Sequence, residues 1–111
     1  MKKISTNKLK KNRQELIQKL SAIDGKILRG SIFETYKKCG KPGCKCGKGI
    51  GHGPKHYMTV NFSKRRPEND YIPLEYVTQV KEYISNYHQF KDIIEQICMI
   101  NREILKRREE L

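Results

Sequence analysis

Apolar residues in the first quarter of the chain recur at helical spacing, with Leu9, Leu16, Leu20 and Ile23 on one stripe. Ser5-Thr6-Asn7 offers side-chain oxygens to the free amides of a helix start, and Asp24-Gly25 is a stop signal. The pattern predicts a short, strongly cationic helix. Such a helix is marginal alone in water and needs a partner along its stripe.

From Gly30 the helical period is lost. Ser31-Ile32-Phe33-Glu34-Thr35-Tyr36-Lys37-Lys38 is rich in β-branched and aromatic residues and predicts a strand. Cys39 to Pro54 holds six Gly and two Pro in sixteen residues, a composition that excludes regular structure. Lys55 to Phe62 predicts a second strand, with His56, Met58, Val60 and Phe62 on one face and Tyr57, Thr59 and Asn61 on the other. Ser63 to Asp70 reads as a polar, basic turn, and Tyr71-Ile72 as a short third strand before Pro73.

Pro73 suits the first turn of a helix, and nothing after it breaks one. Tyr76, Val80, Tyr83, Tyr87, Phe90, Ile94, Ile97, Asn101 and Ile104 alternate steps of four and three, a heptad register with one polar residue, Asn101, in its seam. A helix from Leu74 to Arg108 extends roughly 50 Å at about 1.5 Å per residue, too long for a small sheet to cover. Ile84, Ile93 and Ile100 widen the apolar face beyond a two-stranded seam. Val80, Tyr83, Tyr87, Phe90, Ile94, Ile97, Asn101 and Ile104 therefore form an expected association face. The first helix, a second copy of the chain, a helical partner protein, or a combination covers it, and Asn101 is the hint toward a homodimer. Cys98, between Ile97 and Met99, reads as a small packing residue.

The fold class expected is α+β: an N-terminal helix, a small three-stranded antiparallel meander and a long C-terminal helix. The segments are 1–25, a basic helix; 26–72, the meander with a Cys/Gly/His knuckle; and 73–111, the coiled-coil-like helix. A chain of 111 residues builds a modest core, which a metal or a second chain often supplements.

Charge adds a second theme. The formal net charge is +12, and it is segregated. Residues 1–66 carry 18 Lys and Arg against three acids, whereas residues 67–111 carry six against nine. Between Lys26 and Arg66 Glu34 is the only acid facing eleven cations. A field of this kind attracts polyanions, and nucleic acid is the most abundant of them. Lys37, Lys38, Lys41, Lys45, Lys48, Lys55, Lys64, Arg65 and Arg66 are the expected phosphate contacts. The basic start lacks the apolar run of a signal peptide, and no stretch approaches a membrane span. A cytoplasmic protein without a membrane partner is expected.

In a reducing compartment, four cysteines point to metal ligands or core residues before disulfides. Cys39, Cys44 and Cys46 are close enough in sequence for one tight loop, and zinc wants four converging soft or borderline ligands. His52 is the expected fourth ligand, with His56 the alternative, although Cys-x4-Cys-x-Cys departs from paired Cys-x2-Cys spacing. Catalysis is not expected. The glycines do not follow the phosphate-loop order, and between Phe33 and Glu68 Glu34 is the only carboxylate that could accompany the histidines.

Gly30-Ser31-Ile32, Tyr36-x-Lys-Cys-Gly-Lys-Pro-x-Cys-x-Cys, Gly51-His52-Gly53-Pro54 and Tyr57, followed by Ile-Pro and a long helix, resemble a family of short prokaryotic proteins defined as a domain of unknown function. The resemblance covers roughly residues 29–105. It implies that Cys39, Cys44, Cys46 and His52 belong to a shared motif, and it implies no activity. By architecture alone, three strands followed by a helix are similar to the arm-binding domains of phage-type integrases, which lay a sheet in the DNA major groove. That analogy makes Thr35, Lys37, Tyr57, Thr59 and Asn61 DNA-facing. Tyr36 and Tyr57 are candidates for stacking on unpaired bases. The expected function is nucleic-acid binding, DNA before RNA, by a zinc-containing accessory protein, in the setting of a mobile element. The rival is a zinc-stabilised adaptor that works through its long helix.

Overall fold

The computed structural model describes residues 3–37 and 52–111. The element order is α1 (Thr6–Ile23), β1 (Ser31–Lys37), β2 (His52–Val60), β3 (Glu68–Ile72), a 3-10 turn (Leu74–Tyr76) and α2 (Val77–Lys106). The α+β class and the order helix, meander, long helix agree with the sequence reading. No helix among the described residues is long and apolar enough to cross a membrane.

The ends of α1 follow from local chemistry. Ser5 accepts the Lys8 amide on its hydroxyl at 3.2 Å, which satisfies one free donor of the first turn. At the other end Asp24 takes a left-handed conformation (φ 51°) and its amide donates to the Ser21 carbonyl. Gly25 continues in the same region at φ 74°, where a Cβ is costly.

The chain forms two compact units. One comprises residues up to Ile27 together with Ser85–Leu111. Leu9 and Leu16 of α1, with Ile93 and Ile104 of α2, are its buried apolar side chains, and Ile104 is fully enclosed. Polar contacts fix an antiparallel arrangement. Thr6 donates to the Glu109 carboxylate and accepts from Arg107 Nη1 at 3.3 Å. Arg13 Nη1 donates to Asn101 Oδ1 at 2.7 Å, and Asn86 Nδ2 donates to the Lys26 carbonyl at 2.9 Å. The first helix therefore lies along the part of the expected association face that belongs to this unit, Tyr87 to Ile104. The frame of that face differs by one residue from the heptad reading: Ile93 is 4% exposed and Ile94 is 41% exposed. Tyr87, Phe90, Ile97 and Asn101 are half-buried. Cys98, expected to pack, is exposed, because it falls on the outward side of this frame.

The second unit is Leu28–Ile84, which holds the sheet and the first turns of α2. Strand order is β1-β2-β3, antiparallel throughout. β2 starts at His52, three residues before the expected boundary. The register slips between Thr35 and Lys37, so Lys55 pairs with Thr35 and His52 with Lys37. The extra residue on β2 falls at Gly53-Pro54. A bulge there tolerates a proline without an N–H to donate. β3 is also longer than expected, because Glu68, Asn69 and Asp70 pair with Val60, Thr59 and Met58. All three are exposed on an edge strand, where polar residues discourage further pairing and hide the strand from a hydrophobicity reading. The helix starts later than Leu74: Tyr76 closes a 3-10 turn on the Pro73 carbonyl at 2.9 Å and is half exposed, outside the seam that it was expected to open.

At Gly30 a Cβ would come within 2.7 Å of Met58 Cγ and 3.0 Å of the Thr59 carbonyl oxygen, so glycine is what allows this close approach beside β2. Among the described residues, His56, Ile72 and Val77 are the buried ones of the second unit.

Candidate nucleic-acid interface

Side chains directly opposite in a sheet share a face, so the register sorts the strands into two sets. On one face stand Ile32, Met58 and Asp70 in one row and Glu34, His56 and Ile72 in the next, with the pair Val60 and Glu68 beyond. This face carries the buried His56 and Ile72. His56 Nε2 lies 3.1 Å from Glu34 Oε1, and with an ionised carboxylate the ring N–H is the donor.

The opposite face presents Ser31, Thr59 and Asn69, then Phe33, Tyr57 and Tyr71, then Thr35 and Lys55. The central row is aromatic on all three strands. Phe33 and Tyr57 stack with ring centroids 5.4 Å apart and planes 16° apart. Tyr57 meets Tyr71 edge-on at 5.7 Å. The outer two rings are open to solvent, Phe33 at 37% and Tyr71 at 58%. Beside them Thr59 donates its hydroxyl to Asn69 Oδ1 at 2.9 Å, a bond that does not use the Asn69 amide donors. A recess of about 210 Å³ is lined by Phe33, Thr35, Tyr57 and Asn69. The Thr35 hydroxyl is buried there, without a hydrogen-bond partner among the described residues.

Charge follows the same division. Among the described strand residues, Glu34, Glu68 and Asp70 all stand on the His56 face, and no carboxylate stands on the aromatic one. Lys55 is on the aromatic face and exposed. Lys64, Arg65 and Arg66 are exposed in the connection between β2 and β3. Arg65 is engaged locally: its guanidinium lies 3.8 Å from the Phe62 ring centroid and 3.9 Å from Glu68 Oε1. Arg29 approaches the same ring at 5.4 Å and donates to the Asn61 carbonyl at 2.7 Å.

Of the residues expected to face DNA, Thr35, Tyr57 and Thr59 share the aromatic face, and Asn61 follows the end of β2. Lys37 closes β1. Tyr36, paired with Tyr57 as a stacking candidate, is instead beside Glu34, its hydroxyl 3.4 Å from Glu34 Oε2. The same face also holds Phe33, Asn69 and Tyr71, which the sequence reading did not single out. Alternation along β1 already places Phe33 with Thr35; uniting it with Tyr71 takes the register. Lys38, Lys41, Lys45, Lys48, Cys39, Cys44 and Cys46 lie outside the described residues, and His52 opens β2 as the register partner of Lys37. Among the described residues no three His, Cys, Asp or Glu side chains converge as a metal site.

No curated protein and no solved structure matches the chain. A family model does match, over residues 6–82, from the first turn of α1 to the second turn of α2. The chain belongs to that family, a domain of unknown function (DUF6788).

Proposed function

We propose that this chain works by binding nucleic acid, with DNA as the favoured polymer. One observation carries the reading: the sheet segregates charge between its faces, leaving an aromatic, carboxylate-free face with Lys55 on it. Lys64 and Arg66 are exposed in the adjoining connection. A solvated surface evolved for solubility alone has no reason to sort its acids onto one side of a three-stranded sheet. Phosphates gain from cations with no competing carboxylate nearby, and such contacts position a polymer without reading its sequence.

Zinc held by Cys39, Cys44, Cys46 and His52 is part of the proposal, as a clasp between β1 and β2. The pairing of Lys37 with His52 supports it, because these two residues, on either side of segment 38–51, stand opposite each other on adjacent strands. Thiolates and imidazole are the donors zinc prefers, and the role assigned is structural.

The test is titration of the purified chain against labelled duplex and single-stranded DNA. Affinity should fall by orders of magnitude between about 50 and 200 mM salt, as counterion release requires. No binding to any probe at low salt, or a flat salt response, would overturn the proposal.

A second reading, an adaptor for a helical partner, is favoured by the helical unit. Met99 is 64% exposed beside a groove of about 350 Å³ whose lining includes Leu16, Gln96 and Ile100. An adaptor without nucleic-acid affinity, running as a clean monomer in size measurement, fits that reading instead.

A further inference from the structure

We infer that the row Phe33–Tyr57–Tyr71 is a stacking platform for the unpaired bases of a single-stranded nucleic acid, and that the chain prefers single strands to duplex. The inference rests on the nucleic-acid reading and names the form of polymer that the sheet takes.

Three aromatic rings in register across three strands are not explained by the core. Ile72 and His56 are buried on the other face, while Phe33 and Tyr71 keep 37% and 58% of their surface in contact with water. Exposed aromatic side chains gathered side by side, unlike ones scattered singly, mark a binding surface. The geometry narrows the choice of cover. Phe33 and Tyr57 stack on each other and Tyr71 meets Tyr57 edge-on, so the aromatic surface left for a ligand lies on the two outer rings, Phe33 and Tyr71. Bases in a duplex have their faces already stacked on each other; only unpaired bases have faces to give. Every base has a π-face, so such a platform binds with little sequence preference.

The surroundings match the remaining parts of a nucleotide. The recess beside Phe33 and Tyr57 is lined by Asn69, whose side-chain amide can bond a base edge. Lys55 stands in the row after the aromatic one, and no described strand carboxylate on this face opposes a phosphate. An apolar protein segment would satisfy the rings but leave Lys55 and Asn69 without a partner. A single strand satisfies all of them. Deoxyribose and ribose strands share this chemistry, and the experiment separates them.

The full chain is titrated by fluorescence anisotropy with labelled oligo-dT and oligo-rU of about 12 nucleotides, a length within the usual site sizes, and with a duplex of equal length. The single strands should bind more tightly than the duplex, the tighter of dT and rU identifying the polymer. Tyr71→Ala and Phe33→Ala should each weaken single-strand binding about 5- to 160-fold, the range for loss of one stacked base, with the salt slope unchanged because no phosphate contact is lost. Tyr71→Phe should bind as the parent does, and Tyr71→Leu, which keeps apolar area but no π-face, should behave as Tyr71→Ala. Circular dichroism of each variant separates loss of binding from loss of fold. Duplex binding that equals or exceeds single-strand binding, with Tyr71→Ala neutral, overturns the platform and leaves the nucleic-acid reading standing. Absence of binding to all three probes removes both, and self-association abolished by Tyr71→Ala without oligonucleotide binding would assign the row to a second copy of this chain.

Discussion

Arg13 reaches across from α1 and donates through Nη1 to Asn101 Oδ1 on α2 at 2.7 Å, while its Nη2 donates to the Leu111 carbonyl at 3.0 Å. A polar residue in a heptad seam often selects a particular partner, and here the partner is in the same chain. The bond selects one antiparallel register for the two helix segments, because a shift by one turn carries the amide away from the guanidinium.

Arg13→Ala and Asn101→Ala should each lower stability by about 1 kcal/mol, the net worth of a half-exposed hydrogen bond to a charged donor after solvent screening. Urea denaturation of both single variants and the double variant measures the coupling. The double variant should lose clearly less than the sum, because the second substitution removes a bond already broken. Strict additivity would show that the two side chains act independently and that the register is set by packing alone.

The frame of α2 gives a sharper contrast between neighbours. Ile93 is 4% exposed and Ile94 is 41% exposed, although they are adjacent residues of the same type. Ile93→Ala should cost about 2–4 kcal/mol through lost transfer energy and a cavity. Ile94→Ala should cost well under about 1 kcal/mol, as substitutions at the surface do. Equal losses, read from thermal or urea midpoints, would place the seam where the strict heptad puts it and require a cover over Ile94.

This contrast also shows what sequence alone can specify. Both frames, Phe90-Ile94-Ile97-Asn101-Ile104 and Phe90-Ile93-Ile97-Ile100-Ile104, have steps of three and four and are equally regular. The apolar stripe is wider than a seam, so periodicity fixes the helix and leaves its rotation open. The ends of α1 were legible because Ser5 and Asp24-Gly25 act locally, within hydrogen-bond reach of their own turns. β3 was half visible, since Glu68, Asn69 and Asp70 owe their strand conformation to pairing with β2 rather than to their own preference. The aromatic row was legible in pieces. Phe33, Tyr57 and Tyr71 are far apart in sequence, and only the register Phe33–Tyr57–Tyr71 makes them one surface.

Metal content decides the clasp. Protein purified without chelator should carry one zinc per chain, and Cys44→Ser should lose it along with part of the thermal stability, since structural zinc couples to folding. His52→Ala and His56→Ala separate the two histidines: loss of metal is expected with the first. His56, beside Glu34 in the core, should instead lose stability on substitution and keep its metal. Parent protein free of zinc, reconstituted and still metal-free after dialysis, would return Cys39, Cys44 and Cys46 to an ordinary loop.

The three cations between β2 and β3 should not behave alike. Lys64 and Arg66 are exposed, and neither has a carboxylate within 4 Å among the described residues; Arg65 lies over Phe62 and near Glu68. If the first two contact phosphate, Lys64→Ala and Arg66→Ala should weaken binding to every probe by similar factors and each reduce the salt slope by about one. Stability should be unchanged, because neither side chain is packed. Arg65→Ala removes a cation from a ring face at a half-exposed site, where the interaction is worth about 0.5–1 kcal/mol. It should therefore shift the urea midpoint and alter the salt slope less than its neighbours do. The reverse pattern, with Arg65 dominating the slope and stability untouched, would mean that the guanidinium leaves Phe62 when a phosphate arrives.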